Sequence, residues 1–183
     1  MKAVLDTCVI YPTVMREMLL GAASLGHFTP VWSARILEEW ARAAQKLGPT
    51  GEAQARAEIA LCQANWPLAE RPSSPGLEAR LWLPDDNDIH VLATAVSASA
   101  DAIITVNAKD FPRNILAEEG LKRLDPDSVL VGFWQNDPDG IKILAARVLD
   151  EANRLSGDQW ALRGLMKKAR LPRLGKALQS AFD

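Results

Sequence analysis

The sequence predicts an α/β fold, a parallel sheet covered on both faces by helices, and three observations point to it. Lys2 to Leu5 and Ile103-Ile104-Thr105-Val106 are short apolar runs of the kind found in strands buried on both faces. Each run closes on polar residues, Asp6-Thr7 in the first case and Asn107-Ala108-Lys109-Asp110 in the second. Segments with helical periodicity separate these runs, and strands that alternate with helices fold as βαβ units.

Taken in order, Lys2 to Leu5 is the first strand, with Asp6 and Thr7 at its carboxyl end, where open α/β sheets bind their ligands. An Asx-type turn is the plain alternative for that pair. Val14 to Ala23 places Met15, Met18, Leu19 and Ala22 on one helix face, and Arg16 lies off it, a solvated arginine or a phosphate contact. Phe28 to Trp32 is a second strand, and Ser33 caps a helix whose stripe is Ile36, Leu37, Trp40, Ala44 and Leu47. Glu38 and Glu39 both flank that stripe, and periodicity does not choose between them.

A further helix runs from Thr50 or Gly51 to Ala64, with Ala57, Ala60, Leu61 and Ala64 as its packing face. Glu70 to Gly76 reads as a surface loop, and Leu77 to Leu83 as a short helix or extended piece. From Asp88 the residues Val91, Leu92 and Ala95 follow at three, four and seven positions, which sets Asp88 on the inward face of a first helical turn. A carboxylate there is costly without a compensating donor or cation. His90 falls on a different side of that wheel, facing away from the stripe, which suits a structural role. Leu121 to Leu124 suits an edge strand, and Asp125-Pro126 opens a helix over Ser128 to Trp134.

The chain has 183 residues, 48% hydrophobic and 24% charged, enough to bury a real core in one domain or one domain plus an appendage. The formal charge of -2 excludes no partner class. Cys8 and Cys62 lack metal-ligand spacing, and without a signal peptide they fit free thiols in a reducing, cytoplasmic compartment. No apolar run approaches a membrane span.

Strands far apart in sequence can bring Asp6, one glutamate, Asp88 and Asp110 to one crevice. Carboxylates gathered there repel one another and take up protons unless a cation binds. Oxygen-only donors favour Mg²⁺ or Mn²⁺ over zinc, and such ions activate water and neutralise phosphodiester charge. Phosphodiester hydrolysis is the chemistry this implies.

Four motifs then carry a family resemblance: Val4-Leu5-Asp6-Thr7; Ser33 with Glu39; Pro84-Asp85 with Asp88 to Ala95; and Thr105 to Pro112. Together they resemble the PIN domain, and more closely the VapC-type toxin components of bacterial toxin-antitoxin pairs, over about residues 1 to 135. The resemblance implies a three-layer α/β/α sandwich with a central parallel sheet and a metal-dependent endoribonuclease activity. It also implies an RNA substrate and a cognate antitoxin. Carried over by position, Asp6, Glu39 and Asp88 match the family's core metal-binding acids, with the family spacing picking Glu39 over Glu38; Asp110 joins them as a catalytic acid and metal ligand, and Thr7, Asp85 and Asn107 stand in support. Many family members place an aspartate where this chain has Asn107, so either Asp110 takes that role or Asn107 serves as a neutral ligand.

Past residue 135 the character changes, and residues 136–183 read as a helical C-terminal extension to a nuclease domain of residues 1–135. Ile141, Leu144, Ala145, Val148 and Leu149 form one amphipathic helix. From Arg154 onward stand seven cations, Arg154, Arg163, Lys167, Lys168, Arg170, Arg173 and Lys176, against Asp158 and Asp183. All but Arg154, together with Arg16 and Lys109, are candidate RNA contacts. A solvated face is the alternative, and Trp160, Leu162, Leu165 and Met166 also suit an antitoxin or homodimer contact. Two rival functions are a non-catalytic RNA-binding or scaffold module and a phosphotransferase using Asp6, which would lack a second acid close by. A DNA nuclease also fits the metal chemistry.

Overall fold

Strand β1 (Lys2–Leu5) leads into a one-turn helix α1 (Thr7–Ile10) and then α2 (Thr13–Ser24), β2 (Thr29–Ser33) and α3 (Ala34–Ala43). A 3₁₀ turn over Ala44–Leu47 precedes α4 (Gly51–Asn65), β3 (Glu70–Arg71) and α5 (Pro75–Arg80). A second 3₁₀ turn, Asp86–Asp88, enters α6 (Ile89–Ser97), followed by β4 (Ala102–Ile104), α7 (Arg113–Glu118) and β5 (Lys122–Leu124). Four helices complete the chain: α8 (Pro126–Asn136), α9 (Pro138–Ser156), α10 (Leu162–Lys168) and α11 (Pro172–Gln179). The computed structural model describes residues 1–179, and Asp183 lies outside the described residues.

The strands form one sheet in the order β3-β2-β1-β4-β5, every pair parallel. This is the α/β class of the expected three-layer PIN-like sandwich. Chain order reverses between β1 and β4, and a parallel sheet opens a crevice at the carboxyl ends of the two strands where that happens. Asp6 follows one of those strands and Thr105 to Asp110 follow the other. The apolar runs account for the sheet, since Ala3, Val4, Leu5, Ala102, Ile103 and Ile104 are all fully buried.

Contacts divide the chain into two compact units, Met1–Tyr11 with Thr29–Leu124, and Pro12–Phe28 with Asp125–Asp183. The two units are interleaved in sequence. The first unit holds the whole sheet. In it Ser33 accepts a hydrogen bond from the Ile36 amide, the expected cap of α3. In the second unit α2, α8, α9, α10 and α11 pack together, and a side chain at Gly21 would collide with Leu144, so α2 and α9 approach closely. Asp125 caps α8 as expected, accepting from the Ser128 amide at 2.9 Å. The buried carboxylate of Asp127 accepts from the Arg173 and Leu174 amides at 2.8 and 2.9 Å, satisfying orphan donors at the start of α11.

Several expectations need correction. Helix α4 buries Gly51, Ala55, Ile59 and Cys62, and Leu61 is 64% exposed. A Cβ at Gly51 would collide with the Ala44 carbonyl, so the start of α4 packs closely there, on the face that continues through Ala55, Ile59 and Cys62. The segment from Glu70 contains β3 rather than loop alone, too short to show a pattern, and Trp32 donates to the Ala69 carbonyl at 3.1 Å. Asp88 ends the preceding 3₁₀ turn and stands at the N-cap position of α6 without a side-chain capping hydrogen bond, so it does not lie within the helix's first turn. Arg16 is 3% exposed, with Glu17 at 3.6 Å, so it is neither solvated nor open to a phosphate. Leu165 and Met166 are buried in contact with their own unit, leaving less apolar surface on α10 than the sequence suggested.

Candidate functional site

The ladder between β1 and β4 extends one residue beyond the strands, because the Asp6 amide donates to the Ile104 carbonyl at 3.2 Å. The Asp6 carbonyl then accepts from Val9 and Ile10, starting α1 and fixing the side chain at the strand end. Asp6 is 6% exposed, and one carboxylate oxygen, Oδ2, accepts from Thr105 Oγ1 at 2.6 Å and from the Cys8 thiol at 2.8 Å. Burial, the Asp6 charge and the hydrogen bond to Asp6 push the Cys8 thiol up to about 12. The thiol therefore stays protonated and keeps donating.

Glu39 reaches the same region from α3. Thr7 Oγ1 donates to its Oε2 at 2.9 Å, and Arg35 Nε donates to Oε1 at 3.4 Å. His90 Nε2 lies 2.9 Å from Oε1, in contact by distance but without hydrogen-bond alignment. Burial raises the Glu39 carboxyl, yet His90, Thr7 and Arg35 outweigh it and hold the group below its ordinary range. Of the two glutamates on this helix, Glu38 turns instead to Arg42 and Arg56. His90 belongs beside the acids, contrary to the expectation that it faces away, because α6 is buried on nearly every side.

The third group comes from two loops. Asp85, Asp88 and Asp110 each offer a carboxylate oxygen within 4.8 Å of the others, close enough to hold one metal ion. Asn107 braces them, its Nδ2 donating to Asp110 Oδ2 at 2.7 Å and Asp88 Oδ2 at 3.4 Å, while its own amide donates to Thr105 Oγ1 at 2.9 Å. Asp85 Oδ1 accepts from the Asn87 amide at 2.9 Å and its side chain at 3.0 Å. Asp88 is pushed up to about 6, by burial first and then by the charges of Asp6, Asp85, Asp110 and Glu39. Each of these acids thus acts on Asp88, and the shift records their convergence.

The donor set is made of hard oxygens with excess negative charge, which fits Mg²⁺ or Mn²⁺. The residues expected at the site divide between the cluster of Asp85, Asp88 and Asp110 and the separately hydrogen-bonded Asp6 and Glu39. Thr105 was missed as a site residue, although a hydroxyl closing an apolar strand was a readable signal. Lys109 is exposed beside Asp110, and Arg163, Lys167, Lys168, Arg170, Arg173 and Lys176 are exposed on the second unit. Of those, Lys168 covers the Trp160 ring at 4.4 Å, Arg163 donates to Gln179 and Arg173 to Ser128.

A crevice of carboxylates that could hold a metal ion, at the reversal point of a parallel sheet, defines an α/β protein with a strand-end acidic site. A PIN-domain family model matches residues 2–109, more than half of the chain, and the chain belongs to the PIN-domain family. PIN domains are generally nucleases. Neither the curated proteins nor the solved structures compared with the chain contain a match. No helix among the described residues is long and apolar enough to cross a membrane.

Proposed function

We propose that the chain is a metal-dependent endoribonuclease and the toxin half of a bacterial toxin-antitoxin pair. The observation that carries the nuclease reading is the convergence of Asp85, Asp88 and Asp110 within 4.8 Å, with Asp6 and Glu39 acting electrostatically on Asp88. Asp6, Asp88 and Asp110 are the proposed ligands of Mg²⁺ or Mn²⁺, with Asp85 in support. A bound divalent cation supplies an acidified water and neutralises charge on the phosphodiester.

The chain's own groups prepare the site. Thr105 and Cys8 hold Asp6 by one oxygen, leaving Oδ1 for a ligand. Thr7 and Arg35 fix Glu39, which stays ionised and orients polar groups of the substrate or its water. Asn107 keeps Asp110 and Asp88 together while adding no charge of its own. Lys109, Arg163, Lys167, Lys168, Arg170, Arg173 and Lys176 are proposed contacts for the RNA backbone, adding affinity without reading sequence. The toxin role rests on the motif resemblance, and it implies an antitoxin partner in the cytoplasm.

A non-catalytic RNA-binding module is the second reading, favoured by one observation. The Asn107 amide already directs a donor at both Asp88 and Asp110, which compensates part of their charge without a metal. Incubating the chain with a mixed RNA pool in Mn²⁺, Mg²⁺ or excess chelator, beside Asp88→Asn, separates the readings. Discrete fragments that require metal and vanish in the variant support the nuclease. RNA binding without cleavage in any metal supports the module.

A further inference from the structure

The acids' own segments also line a half-open pocket of about 330 Å³ that the chemistry above does not use. Its walls come from Leu81 and Trp82 ahead of the acidic loop, from Leu92 in α6, and from Asn114 and Ile115 in α7. Each wall is tied by a short length of chain to one of the clustered carboxylates. Trp82 stands three residues before Asp85, Leu92 four after Asp88, and Asn114 four after Asp110. Four helical residues advance about 6 Å, and four extended ones at most about 14 Å. The backbone at each wall therefore lies no more than about 14 Å from a clustered acid.

Its lining selects the kind of occupant. Leu81 and Leu83 are buried at 8% and 0% while Trp82 between them is 61% exposed, so the alternation of an extended segment turns the indole outward. Arg80 donates to both oxygens of Glu119 at 2.8 Å, fastening α5 to α7 and cancelling the positive charge nearest the indole. With Glu118 alongside, the cavity does not suit a phosphate. The exposed Asn114 amide makes no side-chain hydrogen bond among the described residues and offers both a donor and an acceptor. An aromatic face, an apolar floor and one free amide suit a flat, uncharged, hydrogen-bonding group. The volume is at the small end of ligand sites, enough for a base and too little for a peptide helix.

We propose that this cavity is a nucleobase subsite, in which Trp82 stacks an unpaired base beside the phosphodiester held at the acids and Asn114 reads its edge. The proposal rests on the nuclease reading above. The test measures binding of short single-stranded oligoribonucleotides of each base, with Ca²⁺ replacing Mg²⁺ to suppress cleavage. Trp82→Ala is expected to weaken binding by about tenfold, and Trp82→Phe to keep most of it. An abasic nucleotide walked along the strand has one position where it costs the wild type a similar factor and costs Trp82→Ala little more. Asn114→Ala evens out the preference among bases.

Thermal melts establish that each variant is folded, as an exposed side chain predicts. Equal binding by wild type and Trp82→Ala, with cleavage in Mn²⁺ intact, overturns the subsite and leaves the nuclease standing. A Trp82→Ala loss that no abasic position shares also overturns it, pointing to a different role for the indole. Failure of the wild-type chain to bind or cut any oligonucleotide in any metal overturns the nuclease reading, and the subsite with it.

Discussion

Asp6 and Asp88 are both carboxylates in one crevice, yet their surroundings treat charge in opposite ways. Asp6 is the more deeply buried, and its Oδ2 receives two donors, Thr105 and Cys8. Asp88 is half-buried and among the described residues its carboxylate receives only the long contact from Asn107, so burial first and then the four neighbouring acids push it to about 6. Burial raises a carboxyl, and donors aimed at its oxygens offset that. The strand-end half of the site meets its charge with its own donors, and the loop half has the acids that could hold a cation.

Removing a carboxylate from the loop half should break that division most severely. Asp88→Asn is expected to lower single-turnover cleavage in Mn²⁺ by at least about 100-fold, an effect on the barrier of about 3 kcal/mol. Titration of Mn²⁺ against the same variant should show weaker binding, which separates loss of the ion from loss of a later step.

The strand-end half is tested by removing its donor. Thr105→Val keeps the side-chain shape but deletes the hydroxyl that bonds Asp6 at 2.6 Å. Leaving a buried carboxylate short of a donor should cost about 1.5–3 kcal/mol in urea denaturation at neutral pH.

The third prediction concerns pH and sharpens the contrast. The Asp88 carboxyl rises from an ordinary 3.8 to about 6 on folding. Its neutral form is therefore favoured in the native state, so its contribution to stability is complete below about pH 4 and is lost as pH rises through 6. In chelator the wild type should lose about 1–2 kcal/mol relative to Asp88→Asn between pH 4.5 and pH 7.5, a value discounted for partial solvent exposure. Saturating Mg²⁺ or Mn²⁺ should remove most of that loss, since it replaces the missing compensation. Calorimetry at the two pH values, with and without the ion, gives the comparison.

Cys8 has the smallest expected effect. Cys8→Ala should cost about 1 kcal/mol or less, because Thr105 still donates to Asp6. The thiol, pushed up to about 12, should react with an alkylating reagent at pH 8 far more slowly in the native chain than in urea.

The parts of the fold that were readable from sequence are those where one pattern had one physical cause. Continuous apolar runs gave β1 and β4, and the Ser33 and Asp125 caps gave the starts of α3 and α8. The packing face of α4 was not readable, because both faces carry alanines. The acids were readable as chemistry near strand ends, but their hydrogen bonds were not. Thr105 to Asp6 spans 99 residues, and no local pattern encodes such a contact. His90 was placed by its angle on a helical wheel, which presumes one buried face; α6 is buried on nearly all sides, and Glu39 meets His90 on the side taken to point outward. Arg16 escaped for a similar reason, since a cation off an apolar stripe was taken to be solvated and is buried instead.

The strand order has a consequence for synthesis. β1 emerges first from the ribosome, but its neighbour β4 and the loop through Asp110 follow about a hundred residues later. A growing chain carries Asp6, then Glu39, then Asp85 and Asp88 as separate acids long before the sheet can gather them. The crevice comes into being only when β4 slots in beside β1, so a nascent chain still lacking that strand carries the acids but not the site they form.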